Sequence, residues 1–147
     1  MLNNQLFTGG ELYAFVTGKA STAVARTLQK KFTASKLNIT IEQWSVLHQL
    51  WKFENLSQQQ LCEKTFRDKP SITRLVDNLE KQDLVKRTPH PTDRRKNVII
   101  ATPKAKKLQQ TTILLANETL SEALSGIPQH QIDLCKQALE VIYENLK

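Results

Sequence analysis

The segment from Phe66 to Thr102 limits most strongly what this chain can fold into. It begins with a helix-length run, FRDKPSITRLVDNLEKQ, and continues with two stretches rich in β-branched residues that flank the loop HPTDRRK. Such stretches on either side of a proline-containing loop are typical of a β-hairpin. The pattern therefore predicts a helix to about residue 82, strands over 84–88 and 96–101, and a basic loop between them.

The positive charge of the chain lies in the same part of the sequence. The net charge is +7 over 147 residues, and residues 64–107 hold thirteen Lys and Arg against five Asp and Glu, so the remainder carries −1. A basic patch confined to one segment indicates a polyanionic partner rather than general solubility. We therefore expect this segment to contain the binding surface.

The helix that starts after Asp68 has one apolar and one polar face. Ile72, Leu75, Val76 and Leu79 follow the i, i+3, i+4, i+7 rule and are predicted to anchor it on the core. The opposite face presents five side chains able to contact bases and phosphates: Lys69, Ser71, Thr73, Arg74 and Asn78. Arg74 is our candidate for a bidentate contact to guanine, although a merely solvated polar face is the plainer alternative for an isolated helix.

Five further helices are predicted around this segment. They extend over Glu11 to about Lys31, with a kink expected at Gly18, then from Thr40 to Phe53, from Ser57 to Lys64, from Pro103 to Ser125, and beyond Pro128. The second and third begin with capping boxes, Thr40 with Gln43 and Ser57 with Gln60. A short helix, a turn, a polar-faced helix and a basic hairpin in series predict a winged helix-turn-helix, whose second helix enters the major groove of DNA.

Two smaller groups complete the candidate DNA-binding surface. Ser57 and Gln58 stand at a helix N-terminus that can bind a phosphate through its backbone amides. Arg94, Arg95 and Lys96 lie at the hairpin tip, where arginine inserted into a narrow minor groove gains from its negative potential. Asp93 is expected to orient one of these arginines.

The runs KPSITRLVDNLEKQDLVKR and HPTDRRKNVIIATPKA resemble the signature of the MarR family of transcriptional regulators, and the resemblance covers essentially the whole chain. It implies a mainly α fold with a small β-hairpin: a single domain over 1–147, with a winged helix-turn-helix over 37–102 and dimerisation helices over 1–36 and 103–147. It also implies a homodimer that binds a pseudo-palindromic double-stranded operator, usually as a repressor, and releases it when a small anionic or phenolic effector or a cysteine oxidation acts. The family usually has glycine where this chain has Asp83, a residue that tolerates the left-handed conformation at some cost.

Other classes of function find less support in the sequence. His48, His90 and His130 stand in separate elements without partners at catalytic or metal-ligand spacing, so neither an enzyme nor a metal or cofactor site is expected. Cys62 and Cys135 are expected to be small buried residues, with oxidation sensing as the alternative. No signal peptide or membrane span is recognised, which indicates a cytoplasmic protein.

Two questions stay open at the level of sequence. A winged-helix module that binds protein or RNA would show the same charge distribution. An effector pocket between the first, second and fifth helices would be lined by Phe15, Trp44 or Trp51, yet aromatic residues at helical spacing more often belong to the core.

Overall fold

The computed structural model describes residues 6–147, which form eight helices and three short strands. The helices are α1 (Gly9–Thr17), α2 (Lys19–Ala34), α3 (Ile41–Phe53), α4 (Gln58–Thr65), α5 (Lys69–Lys81), α6 (Pro103–Lys106), α7 (Gln109–Ala123) and α8 (Gln129–Leu146). The strands are β1 (Asn55–Ser57), β2 (Val85–Pro89) and β3 (Asn97–Ala101). The predicted fold class is confirmed, although residues 1–5 of the predicted domain lie outside the described part.

The first predicted helix begins earlier than expected and is broken in two. Thr8 and Glu11 form a capping box, so α1 starts at Gly9, and both Gly9 and Gly10 lie inside it. Gly18 has φ +67°, a left-handed conformation that ends α1 and begins α2. The kink expected at Gly18 is therefore a full helix boundary.

The core lies where α2, α3, α4 and α5 meet. Leu47 of α3, Leu61 of α4 and the α5 residues Ile72, Val76 and Leu79 are completely buried, as the apolar periodicity of α5 predicts. Phe32 of α2 is also fully buried and meets the ring of Trp44 edge to face, with centroids 6.1 Å apart. These contacts fix α5 against the rest of the chain and turn its polar face outward.

The hairpin belongs to a three-stranded antiparallel sheet with the order β1-β3-β2. Strand β2 pairs with β3 from Val85 opposite Ala101 to Pro89 opposite Asn97. Strand β1, which the local sequence pattern does not indicate, pairs Leu56 with Ile99 on the other side of β3. We call the hairpin of β2 and β3 the wing. Because β1 leads directly into α4, the sheet connects the wing to the start of the helix-turn-helix.

The last predicted helices also differ in detail. Thr102 caps α6 as expected, its hydroxyl accepting a hydrogen bond from the amide of Ala105, but the helix stops at Lys106 and α7 restarts at Gln109. Helix α8 has no buried residue within this protomer. Its end approaches the helix-turn-helix, where Tyr143 meets Phe66 edge to face with centroids 5.8 Å apart.

Asp83 forms the joint between α5 and β2. It has φ +57°, the left-handed conformation that the usual glycine would adopt at no steric cost. The Asp83 carbonyl accepts a 2.7 Å hydrogen bond from the hydroxyl of Thr102, and the amide of Leu84 donates to the carbonyl of Leu79 at 2.9 Å. The joint is thus held on both sides despite the substitution.

Replacing Asp83 by valine should lower the free energy of unfolding by about 1–2 kcal/mol, because a β-branched side chain clashes in the left-handed conformation. Asp83→Gly should leave stability at or above that of the wild type. Urea unfolding followed by circular dichroism measures both, and Lys81→Val on the exposed side of α5 controls for the valine side chain itself. Equal stability of Asp83→Val and the wild type would contradict a strained joint.

Candidate nucleic-acid interface

The outward face of α5 is the centre of the candidate interface. Asp68 caps the helix by accepting a 2.7 Å hydrogen bond from the amide of Ser71, and the hydrogen bonds from Ser71 lower the pKa of the Asp68 carboxyl. Lys69, Arg74 and Asn78 are exposed. Along the helix they line a shallow depression of about 540 Å³.

Thr73 and Ser71 are less available than the periodicity alone suggests. Both are half-buried, and the Thr73 hydroxyl accepts a short hydrogen bond from the Gln58 side-chain amide and donates to the Lys69 carbonyl at 2.9 Å. The structure thus brings together Gln58 and Thr73, which the sequence placed on different helices. This bond holds the N-terminus of α4 next to the first turns of α5.

Ser57 serves first as the N-cap of α4. Its hydroxyl accepts a hydrogen bond from the Gln60 amide at 3.1 Å, and its own amide donates to the Gln60 side chain at 2.8 Å. The predicted capping box is therefore present. The N-terminus of α4, which is the positive end of its dipole, lies beside α5 through the bond between Gln58 and Thr73.

The tip of the wing is ordered by its own hydrogen bonds. The His90 amide donates to the Lys96 carbonyl at 2.9 Å, and His90 Nδ1 accepts from the amides of Thr92 and Asp93, both at 3.2 Å. Asp93 Oδ1 accepts from the backbone amide of Arg95 at 3.0 Å. In residues 6–147 no ion pair joins Asp93 to an arginine, so Asp93 positions Arg95 through the backbone and not through its guanidinium.

A groove connects these three parts of the surface. It has a volume of about 640 Å³ and is lined by the N-terminus of α4, the start of α5 and the wing. Lys69, Arg95 and Lys96 surround it, and Arg94 is exposed close by in sequence. Because Lys69 also lines the depression on α5, the depression and the groove form one continuous cationic surface.

Arg87 is a residue of this surface that the sequence reasoning missed. It lies on β2, and its guanidinium Nη2 donates to Asp77 Oδ1 at 2.5 Å and Nη1 to Glu80 Oε1 at 2.9 Å. Its backbone amide also donates to Glu80 Oε2 at 3.2 Å. We call these three residues the Arg87 clamp. Its only signal in the sequence is two acids three residues apart on the helix, followed by an arginine on the next strand.

The aromatic residues suggested for an effector pocket lie in separate places. Phe15 stacks on Phe7, with ring centroids 5.4 Å apart, beside a cavity that also includes Ala20. Trp44 and Trp51 pack against the core, and each buries an indole N–H without a hydrogen-bond partner. Neither tryptophan lines the cavity beside Phe15, so a pocket formed by these three residues stays a prediction.

Metal and membrane sites find no structural support in the described residues. Between residues 6 and 147, no three His, Cys, Asp or Glu side chains gather into a group able to hold a metal ion. No helix in the same range has the length and apolar character required to cross a bilayer.

The two cysteines differ from each other in burial. Cys135 is exposed on α8 of this protomer, which corrects the expectation of a buried residue, because the helix places no side chain in the core. Cys62 is half-buried in the middle of α4. Burial, followed by the negative charge of Asp68, raises the pKa of the Cys62 thiol.

We therefore expect Cys62 to react slowly at neutral pH. A raised pKa leaves less thiolate at pH 7, and the thiolate is the nucleophile, so the rate should climb as the pH approaches the raised value. The measurement is iodoacetamide alkylation of a Cys135→Ser variant between pH 6 and 10, followed by mass spectrometry. The same variant unfolded in urea is the control, and equal or faster reaction of the folded form at pH 7 would contradict the prediction.

Comparison with known proteins places this arrangement in context. Residues 39–96 match the model of the MarR family. The solved transcriptional regulator PA3341 is 30% identical, with 91% of this chain and 97% of that chain covered and a TM-score of 0.76. A mutant MarR from E. coli complexed with operator DNA is 21% identical over 97% and 98% of the two chains, with a TM-score of 0.76. BpsR from Bordetella bronchiseptica is 18% identical over 93% and 96%, with a TM-score of 0.83.

Proposed function

This chain belongs to the MarR family of DNA-binding transcriptional regulators, and we propose that it is a repressor that recognises a specific operator sequence and leaves it when a small effector binds. The observation that carries the proposal is the continuous cationic surface formed by α5, the start of α4 and the wing. Its side chains are of the kinds that read base edges and neutralise phosphates. Neither catalysis nor a bound cofactor enters the proposal.

Each part of the surface has a separate task in this proposal. Helix α5 is the recognition helix and lies in the major groove, where Arg74 binds a guanine. The remaining outward residues contact bases and phosphates: Lys69, Ser71, Thr73 and Asn78. The wing extends along the adjacent minor groove with Arg94, Arg95 and Lys96, while Asp93 keeps the loop in shape. Ser57 and Gln58 position the protein on the backbone at the N-terminus of α4.

The operator is proposed to be pseudo-palindromic because the protein acts as a homodimer. Large apolar side chains are exposed on α1 and α8, for example Phe15 at 55%, Val16 at 75% and Leu134 at 62%. An apolar surface of this kind is normally covered by a partner. Pairing through residues 1–36 and 103–147 would leave the winged helix-turn-helix over 37–102 free, with the two recognition helices about 34–36 Å apart.

A small anionic or phenolic effector is the proposed signal for release. DNA binding of BpsR, which shares this fold, is regulated by 6-hydroxynicotinic acid. A ligand of that chemistry combines an aromatic ring with a negative charge. It can either compete with phosphate on the cationic surface or shift the two halves of the dimer relative to each other, and the site residues Phe15, Trp44 and Trp51 remain candidates for its lining.

The central test is selection of bound duplexes from the host genome, followed by a salt titration on a selected and a random duplex. A specific regulator should enrich a small set of sites and bind them about 10³-fold or more tightly than random DNA, with a steep salt dependence of both. Uniform weak affinity for all duplexes would replace this proposal with a module that binds protein or RNA. Run-off transcription from a selected promoter then distinguishes repression from activation.

A further inference from the structure

The Arg87 clamp places two carboxylates on a surface that is proposed to bind DNA. Asp77 lines the same depression of α5 as Lys69 and Arg74, so it would stand close to the phosphates of a bound duplex. A free carboxylate there repels DNA, and Glu80 one turn further adds a second. Arg87 pairs with both carboxylates, but its single positive charge offsets only one of them, and two neutral residues would remove the repulsion more simply.

We propose that the Arg87 clamp sets the spacing and angle between the recognition helix and the wing, so that both enter their grooves at once. This inference rests on the proposed function and adds a positioning residue to it. Without the clamp, α5 and β2 are linked at the Asp83 joint, where the Leu84 amide donates to the Leu79 carbonyl and the Asp83 carbonyl accepts from Thr102. These bonds hold the start of β2, and a second attachment further along the strand fixes its angle to α5 as well.

The chemistry of the three side chains suits that task. The guanidinium of arginine is a planar fork, and here its two arms reach two carboxylates that lie on one face of α5. The backbone amide of Arg87 binds the second oxygen of Glu80, so the main chain of β2 is held as well as its side chain. Three hydrogen bonds in different directions fix an orientation that one ion pair does not.

Stability alone is a poor explanation for this arrangement. The side chains of Asp77 and Glu80 are 49% and 44% exposed, and that of Arg87 is 23% exposed. Water screens both carboxylates, so the clamp contributes only modestly to the folding free energy. Loss of the clamp should therefore leave the fold intact and change the geometry of DNA binding. That combination separates a positioning role from a structural one.

The decisive variant is Asp77→Asn with Glu80→Gln, which keeps the shapes of the side chains and removes two negative charges. Electrostatics alone predicts tighter DNA binding, because the net charge rises by two. A positioning role predicts the opposite, a loss of roughly tenfold in affinity for the selected operator, which is the size of effect that coupled contacts of this kind produce. Affinity for random DNA should be unchanged or higher.

A matched control comes from the neighbouring residue on the same strand. Lys86 is exposed and has no ion pair in the described part of the chain, so Lys86→Gln and Arg87→Gln each remove one positive charge. Lys86→Gln should weaken operator and random DNA alike. Arg87→Gln should weaken operator binding more, and when Asp77 and Glu80 are already neutral it should cost no more than Lys86→Gln.

Footprinting shows which contact is lost. In the Asp77→Asn, Glu80→Gln variant, guanine N7 protection in the major groove should persist, whereas hydroxyl-radical protection in the flanking minor grooves should fade. Arg87→Lys, which keeps the charge without the fork, should give a weaker form of the same pattern and serves as a second route if the double variant folds poorly. Thermal unfolding of each variant verifies the fold.

The outcomes separate this inference from the proposed function. If the wild type selects no duplex, both are overturned. If it selects an operator and the Asp77→Asn, Glu80→Gln variant binds that operator as tightly as the wild type or more tightly, the clamp alone is overturned. Loss of operator affinity with an intact fold and a faded minor-groove footprint supports it.

Discussion

Arg74→Ala is expected to lower affinity for the operator by about 1–3 kcal/mol for each half-site, or roughly 5–150-fold, because a bidentate contact to guanine is lost. Arg74 is exposed on the second turn of α5, next to Asn78 and clear of any ion pair in the described chain. The loss should be confined to duplexes that carry the matching base pair. Competition binding with operators substituted at each position measures it.

Arg74→Lys separates base reading from phosphate attraction at the same position. Lysine keeps the positive charge but not the planar fork, so specificity should fall almost as far as in the alanine variant while the salt dependence stays close to that of the wild type. Equal loss of affinity on every sequence for Arg74→Ala would show instead that Arg74 contacts a phosphate.

Phe32→Ala should remove about 3–5 kcal/mol from the free energy of unfolding, the usual cost of deleting a fully buried phenylalanine. Phe32 joins α2 to the helix-turn-helix through Trp44, whose ring also lies 5.7 Å from that of His48. We expect the DNA-binding part to lose its attachment to α2 before it loses its own helices.

The comparison variant is Phe53→Ala, which truncates a phenylalanine that is 39% exposed. Its cost in free energy of unfolding should stay below about 1 kcal/mol, the usual range for surface positions. This cost includes the loss of the contact between the Phe53 ring and the Lys64 ammonium. Both are measured by urea unfolding with tryptophan fluorescence. A cost for Phe32→Ala below that for Phe53→Ala would show that the core is arranged differently.

The sequence alone predicts those features that depend on residues close together in the chain, namely helix caps and the buried face of a helix. The capping boxes at Thr40 and Ser57, the Asp68 cap and the Thr102 cap each satisfy backbone amides within three residues, so their outcome depends little on the rest of the fold. The apolar spacing of α5 likewise predicts which side is buried, and the fully buried Ile72, Val76 and Leu79 confirm it.

Features that depend on residues distant in the chain could not be predicted from the local sequence. Strand β1 has only three residues and exists because β3 lies beside it, and the break between α6 and α7 carries neither glycine nor proline. The Arg87 clamp joins α5, which precedes the Asp83 joint, to β2, which follows it. Its geometry therefore forms only when the chain is folded. The individual DNA contacts remain predictions for the same reason.

The bond between Glu80 and the Arg87 amide also bears on how the protein avoids aggregation. Strand β2 lies at the edge of its sheet, and an exposed edge offers free amides to which a strand of another molecule can add. Here the amide of Arg87 is occupied by Glu80, and Pro89 has no amide to offer. The outer edge of β2 therefore offers fewer free amides to a strand of another molecule, which limits the formation of sheets between molecules.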